Sequence, residues 1–223
     1  ATGPTGSGKT TTLYAALGLR RPNAEKIITV EDPVEYHLEG VTQVPVNTKA
    51  GMTFAAALRS MLRQDPDVLM IGEIRDTDTA QIAVQAAMTG HLVFSTVHTN
   101  DAIGALARLV NLKVAAYLVA ATLEVVLAQR LVRKVCPECR ERYRPDPAAV
   151  ALLAERPVGK LVLERGRGCA ACRDTGYRGR TGLFELLVVD EEMKRLFSKI
   201  DAASDAARLR EVARERGMIT LRQ

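Results

Sequence analysis

Gly3-Pro4-Thr5-Gly6-Ser7-Gly8-Lys9-Thr10, close to the start of a 223-residue chain, is the stretch that decides the fold. It fits G-x-x-x-x-G-K-[ST] at each fixed position. The glycines let the backbone curl so that its N–H groups face a phosphate. Thr11 to Leu19 reads as the helix that follows, whose N-terminus adds partial positive charge. Lys9 can reach the β- and γ-phosphates of a nucleotide, and the Thr10 hydroxyl can ligate Mg²⁺. The predicted ATP contacts are Gly3, Pro4, Thr5, Gly6, Ser7, Gly8, Lys9, Thr10 and Thr11. Such a loop needs a strand before it, and almost none precedes Gly3, so the chain reads as a fragment of a larger protein.

Outward from the loop, apolar runs at Ile27–Val30, Val68–Ile71 and Leu92–Val97 read as strands. Periodic segments read as helices: one capped by Thr53 and running through Arg63, Thr77–Met88 closed by Gly90, and Asp101–Val110. Strands alternating with helices predict an α/β fold with a mostly parallel sheet. Val114–Leu131, which contains Glu124, Gln129 and Arg130, reads as an amphipathic or buried helix. Cysteine, proline, glycine and arginine dominate from Cys136 to Gly182, a small irregular subdomain with one helix near Ala148–Leu153. A strand over Thr181–Val188 and helices over Asp190–Lys199 and Asp201–Arg216 follow. The expected divisions are 1–132, 133–182 and 183–223.

Hydrophobic content of 47% and charged content of 26% are ordinary for a globular core. No apolar run reaches the roughly 18 residues that span a bilayer. The net charge of +5 comes from mixed charges on solvated faces. Aromatic residues make up 4% and tryptophan is absent, which argues against stacking on single-stranded nucleic acid.

Phosphoryl transfer needs a carboxylate near the metal or the attacking water. Glu31-Asp32-Pro33-Val34-Glu35 and Gly72-Glu73-Ile74-Arg75-Asp76 each follow a strand directly, and active sites of open α/β sheets lie at the carboxyl ends of strands. Gly72 stands where a Walker B motif normally carries its metal-binding aspartate. The metal ligand then comes from elsewhere, from Asp32 or from water held by Glu31 or Glu35. His98 falls at the carboxyl end of Leu92–Val97, the side expected to sense nucleotide, whereas His91 falls at the other end. Arg59 and Arg63, at i and i+4, and Arg75 are candidates to complete an ATP site across a subunit boundary.

The four cysteines form two C-x-x-C pairs, Cys136/Cys139 and Cys169/Cys172, separated by 29 residues. Two such pairs predict a tetrathiolate Zn²⁺ site, structural because four sulfurs leave no position for water. Two disulfides or redox pairs are the alternative.

These motifs occur in an order that resembles one family. Thr29-Val30-Glu31-Asp32-Pro33-Val34-Glu35-Tyr36, Leu62-Arg63-Gln64-Asp65-Pro66-Asp67, Gly72-Glu73-Ile74-Arg75-Asp76, Thr89-Gly90-His91-Leu92 and Ser95-Thr96-Val97-His98-Thr99-Asn100-Asp101 are similar to the traffic ATPases of type II secretion and type IV pili. The resemblance covers nearly the whole chain. It implies a RecA-like P-loop core assembled as a homohexamer with ATP between subunits. It further implies Glu31–Glu35 as an Asp box, Gly72-Glu73 as an atypical Walker B with Glu73 the catalytic base, and a His box at His98. Gln129-Arg130-Leu131-Val132, the cysteine pairs and Thr175-Gly176-Tyr177-Arg178-Gly179-Arg180-Thr181-Gly182 resemble the secretion and pilus-extension branch. That branch implies N-terminal domains docked on an inner-membrane platform protein, peripheral membrane association through partners, a cytoplasmic location at the inner-membrane face, and no direct nucleic-acid ligand. Two other readings use the same residues: a RecA-like nucleic-acid motor with a zinc module, and a non-catalytic zinc-centred docking module. Low aromatic content disfavours the first, and the intact Lys9, Thr10 and Glu73 disfavour the second.

Overall fold

β1 (Ile27–Glu31) and β3 (Val68–Ile71) are buried at every position, as strands are when helices cover both faces of a parallel sheet. Around them the computed structural model, which describes residues 1–20, 24–146, 162–199 and 206–221, orders a parallel sheet β2-β1-β3-β4, with β2 at Val41–Pro45 and β4 at Leu92–Ser95. Side chains of successive strand residues point to opposite faces. Ile27, Val68 and Met70 therefore pack with Leu13, Tyr14 and Leu17 of α1 (Lys9–Gly18) on one face. Ile28, Val30, Leu69 and Ile71 join the larger core on the other. The alternation separates a layer beneath the phosphate-loop helix from a layer beneath α2 (Phe54–Leu62), α3 (Thr77–Met88) and α4 (Ala102–Asn111).

These helices start where polar side chains satisfy their free N–H groups. Thr53 Oγ1 accepts from Ala56 N at 3.2 Å, Asp76 Oδ1 from Thr79 N at 2.8 Å, and Asp101 Oδ1 from Gly104 N at 2.7 Å. Thr53 is the cap expected from the sequence; Asp76 and Asp101 carry two more caps directly behind the site loops. α2 ends at Leu62, and Asp65 then takes φ 49° ahead of Pro66.

The strand that should lead into the phosphate loop is represented by Thr2, which bridges in parallel to Val97 on one side and Ala128 on the other. β5 runs over Val125–Val135. The helix expected over Val114–Leu131 is therefore corrected. α5 occupies Ala116–Thr122, Leu123 is extended, and β5 begins with the β-branched pair Val125-Val126. Backbone bonds to Thr2 hold that segment as a strand: Thr2 N donates to Leu127 O at 2.8 Å and Gln129 N to Thr2 O at 2.9 Å. β2 was not expected either, although Val41-Thr42-Gln43-Val44 alternates between Gly40 and Pro45.

Two compact units emerge, 1–130 with 184–221, and 131–183. The second unit holds β6 (Arg140–Tyr143) paired antiparallel with β7 (Leu163–Gly166). β8 (Tyr177–Val188) pairs with β5. The helix expected near Ala148–Leu153 lies outside the described residues. The C-terminal helices α6 (Glu191–Lys199) and α7 (Ala206–Glu215) do not form a third division, because Met193, Phe197, Leu209 and Ala213 belong to the same apolar core as Leu106 and Leu69. Among the described residues no helix is long and apolar enough to cross a membrane.

Phe197 is fully buried in that core. Phe197→Ala should lower the unfolding free energy of the first unit by about 3–5 kcal/mol, the usual cost of emptying a buried aromatic site. Denaturant titration checks this, and a loss below about 1 kcal/mol would mean the helix contributes little to the core.

Candidate functional site

Gly8 has φ 86° and Gly6 has φ 75°, left-handed conformations that a side chain would resist. They turn the chain into the first turn of α1, whose N–H groups have no intrahelical partner. Lys9 is buried, and its Nζ donates to Gly3 O at 2.9 Å and Pro4 O at 3.0 Å. Burial lowers the Lys9 pKa from its ordinary value, and the negative charge of Glu73 opposes that shift. Ser7 Oγ is buried and, among the described residues, has no hydrogen-bond partner. An unpartnered buried hydroxyl beside a buried ammonium fits an anionic ligand such as a nucleotide phosphate. Thr10 is half-buried in the first turn of α1 and Thr11 is exposed.

Glu73 follows β3 and is almost fully buried. Its Oε2 lies 2.5 Å from Arg75 Nε and 3.3 Å from His98 Nε2. The structure thus brings together three residues picked out in sequence, with Lys9 close enough to feel the Glu73 charge. Gly72 has a packing reason. A Cβ there would meet Val30 O at 3.2 Å, Glu31 Cα at 3.4 Å and the Phe54 ring at 3.5 Å. A side chain at this point would need the β1 backbone to give by a few tenths of an ångström.

His98 begins a loop held from several sides. Thr2 Oγ1 lies 2.6 Å from Thr99 Oγ1, Arg130 donates to Asn100 O at 3.1 Å, and Arg210 of α7 reaches Asp101 Oδ2 at 2.8 Å. Behind it Glu185, buried in β8, accepts from Ala102 N at 2.7 Å. His91 instead closes α3, with its Nδ1 2.9 Å from Ala86 O.

The Glu31 carboxylate has a different set of partners. The residue is 2% exposed, and its carboxylate accepts from the Tyr14 hydroxyl, from Thr29 Oγ1 at 2.5 Å and from Gln43 Nε2 at 3.1 Å. Burial, with the Glu31 carboxylate beside it, pushes the Tyr14 pKa above its ordinary value. Asp32 and Glu35 are exposed beyond the end of β1. Arg59 lies 3.9 Å from Asp78, both side chains in solvent, and Arg63 is exposed at the end of α2. Thr2, Gln129, Arg130, Glu185 and Arg210 were not picked out in sequence as site residues. Their one legible signal is polarity within apolar runs, as at Gln129 in Val125–Leu131.

In the second unit the four cysteine sulfurs lie within 4.8 Å of one another, and none is in a disulfide. Sulfur separations are 3.9 Å for Cys136–Cys169, 3.9 Å for Cys139–Cys172 and 3.7 Å for Cys169–Cys172. Four sulfurs around one ion at about 2.3 Å per bond would stand about 3.8 Å apart, so the set fits a tetrahedral metal. Burial raises the Cys172 pKa, but N–H groups of Cys169 and Gly176 outweigh it and bring the thiol to about 7. Gly166 and Gly176 let the knuckles meet: a Cβ on Gly166 would lie 2.0 Å from Gly176 O.

The whole chain, residues 1–223, matches the family described as type II/IV secretion system protein. The chain belongs to that family. It is 56% identical over 207 residues to type II secretion system protein E of Pseudomonas aeruginosa, covering 93% of this chain and 41% of that protein. It is 48% identical over 224 residues to the type IV pilus assembly ATPase PilB of Thermus thermophilus, covering 100% of this chain and 25% of that protein. The chain therefore spans well under half the length of these relatives. Among solved structures, the pilus retraction motor PilT with bound ADP superposes with a TM-score of 0.66 at 28% identity, over 99% of this chain and 57% of that one. The RecA-like α/β fold expected from the sequence is thus the fold observed.

Removing the Glu31 carboxylate takes the acceptor from the buried Tyr14 and Thr29 hydroxyls and one of several acceptors from Gln43. Glu31→Ala should cost about 1–3 kcal/mol of stability, read as a lower denaturation midpoint. An unchanged midpoint would show that the cluster carries no load.

Proposed function

We propose that this chain is the catalytic portion of a homohexameric ATPase that powers assembly of a type II secretion pseudopilus or a type IV pilus. The observation that carries the reading is the convergence of Lys9, Glu73, Arg75 and His98 at the carboxyl ends of a parallel sheet, in a chain 56% identical to a secretion protein E.

In this reading the loop N–H groups and Lys9 bind the phosphates of ATP and neutralise charge on the leaving ADP. Thr10 and Asp32 hold Mg²⁺, which supplies further neutralisation of the phosphates. Glu73 takes the proton of the attacking water as its oxygen bonds to the γ-phosphorus and the bond to ADP breaks. Arg75 and His98 orient the carboxylate of Glu73. Glu31 acts from a distance, tying β1 to α1 through Tyr14 and so fixing where Asp32 and Glu35 emerge. Arg59 and Arg63, on the exposed side of α2, are offered to the nucleotide of a neighbouring subunit. The four cysteines hold Zn²⁺ in a structural role. Docking on an inner-membrane platform protein brings the motor to the cytoplasmic face of the membrane, with no nucleic acid as direct ligand.

Lys9→Ala should nearly abolish hydrolysis, whereas Glu73→Gln should slow turnover by roughly 10²-fold or more while nucleotide still binds. Turnover and nucleotide affinity of the full-length protein check this. Near-normal turnover in Glu73→Gln would reassign the base to Glu35.

Elemental analysis should find one zinc per chain, and Cys169→Ser should lose it and loosen residues 133–182, which are too few to fold on apolar burial alone. ATP binding should survive in that variant. Pure protein with no zinc and two disulfides would overturn the metal assignment.

A further inference from the structure

Gln129 is 4% exposed in β5, an amide in an apolar strand. Each of its polar side-chain atoms is used. Nε2 donates to Ser7 O at 2.6 Å, and Oε1 accepts from Thr12 Oγ1 at 2.8 Å. The Thr12 hydroxyl engages the amide oxygen and so leaves the NH₂ group facing Ser7. The backbone N–H of Gln129 donates to Thr2 O at 2.9 Å, the residue before the loop. One residue thus grips the phosphate loop before it starts, at its turn and in the first turn of α1.

Two glycines of the loop make room for this grip. A Cβ on Gly8 would lie 2.8 Å from Gln129 Nε2, and one on Gly3 would lie 2.3 Å from Gln129 O. These positions accommodate Gln129 as well as the curl of the loop. The consequence for a ligand follows from peptide geometry. In a planar trans peptide the C=O and the next N–H point in opposite directions. With the Ser7 carbonyl turned onto Gln129, the N–H of Gly8 points away from Gln129.

We propose that Gln129 is a positioning residue for the nucleotide: by holding the Ser7 carbonyl it sets the direction of the Gly8 N–H and the start of α1, and with them the phosphate cradle. The inference rests on the ATPase reading. Gln129 touches no reacting atom.

The test uses substitutions of similar size. Gln129→Met keeps the volume and removes the donor to Ser7, so the ATP KM and the ADP Kd should each rise roughly tenfold, the value of one buried hydrogen bond. Gln129→Glu places an oxygen against the Ser7 carbonyl and should weaken binding further. Thr12→Val frees the amide to rotate and should raise the ADP Kd by about two- to fivefold. Affinity is read on full-length protein by titration with a fluorescent ADP analogue, and melting without nucleotide is followed separately. A residue that only packed would lower the melting temperature and leave the ADP Kd of the folded protein unchanged, with methionine the mildest variant. Gln129→Met within twofold of the parent in both KM and Kd overturns the proposal, and if neither Gln129 variant folds, Thr12→Val decides it in the same way. A parent protein that binds neither ADP nor ATP overturns the ATPase reading itself, an outcome distinct from a parent that binds beside variants that bind equally well.

Discussion

The geometry of the site depends on the backbone pairing of Thr2. Its N–H donates to Leu127 O, its carbonyl accepts from Gln129 N, and on the other side Val97 N donates to Ala1 O. These bonds fix where the chain leaves the sheet and curls into the phosphate loop. Because the parallel strands all present their carboxyl ends on the same edge, the same pairing brings the loop beside the residues that follow β1, β3 and β4. The Thr2 hydroxyl extends the control further, since it also accepts from Thr99 N at 3.0 Å and so ties the His98 loop to the phosphate loop.

The second constraint is crowding at Gly72. β1 and β3 approach so closely there that a side chain would press on the Val30 carbonyl and the Glu31 backbone. The first acidic residue after β3 is Glu73. It turns toward Arg75 and His98, which share one of its oxygens. On the far side of β1 the Glu31 carboxylate is held by donors from α1, β1 and β2. Two carboxylates that look equivalent in sequence are therefore set apart by what surrounds them. One lies among cations, and the other is saturated by neutral hydroxyls and an amide.

Much of this was legible in the sequence, for identifiable reasons. The phosphate loop, the strands at Ile27 and Val68, the Thr53 cap and the cysteine pairs are local signals, written in spacing and residue type. The tight sulfur cluster followed from two C-x-x-C pairs alone. What was not legible depends on partners distant in the chain. Val125–Leu131 carries an apolar pattern that serves a helix or a strand, and Thr2, more than 120 residues earlier in sequence, decides between them. β2 is short and lies at the edge of the sheet, where exposure weakens the apolar pattern. The amphipathic C-terminal helices showed an apolar face, but nothing in their sequence tells that α5 and α4 cover it. The place of Glu31 at the end of a strand is visible in sequence, whereas its burial and its three donors are not.

The contact between Arg210 and Asp101 joins residues 109 positions apart, and that distance sets an order of events during synthesis. At about 5–20 residues per second, the segment bearing His98 leaves the ribosome on the order of 5–20 s before α7 exists to hold it. Glu185, which receives the first N–H of α4 and the backbone of Leu221, arrives nearly as late. A nascent chain can therefore assemble its parallel sheet early, while one tie of the loop facing Glu73 waits for a helix made about 100 residues later. A truncated translation product ending before residue 184 would keep the Thr2 and Arg130 bonds to the histidine loop and lack those from Glu185 and Arg210.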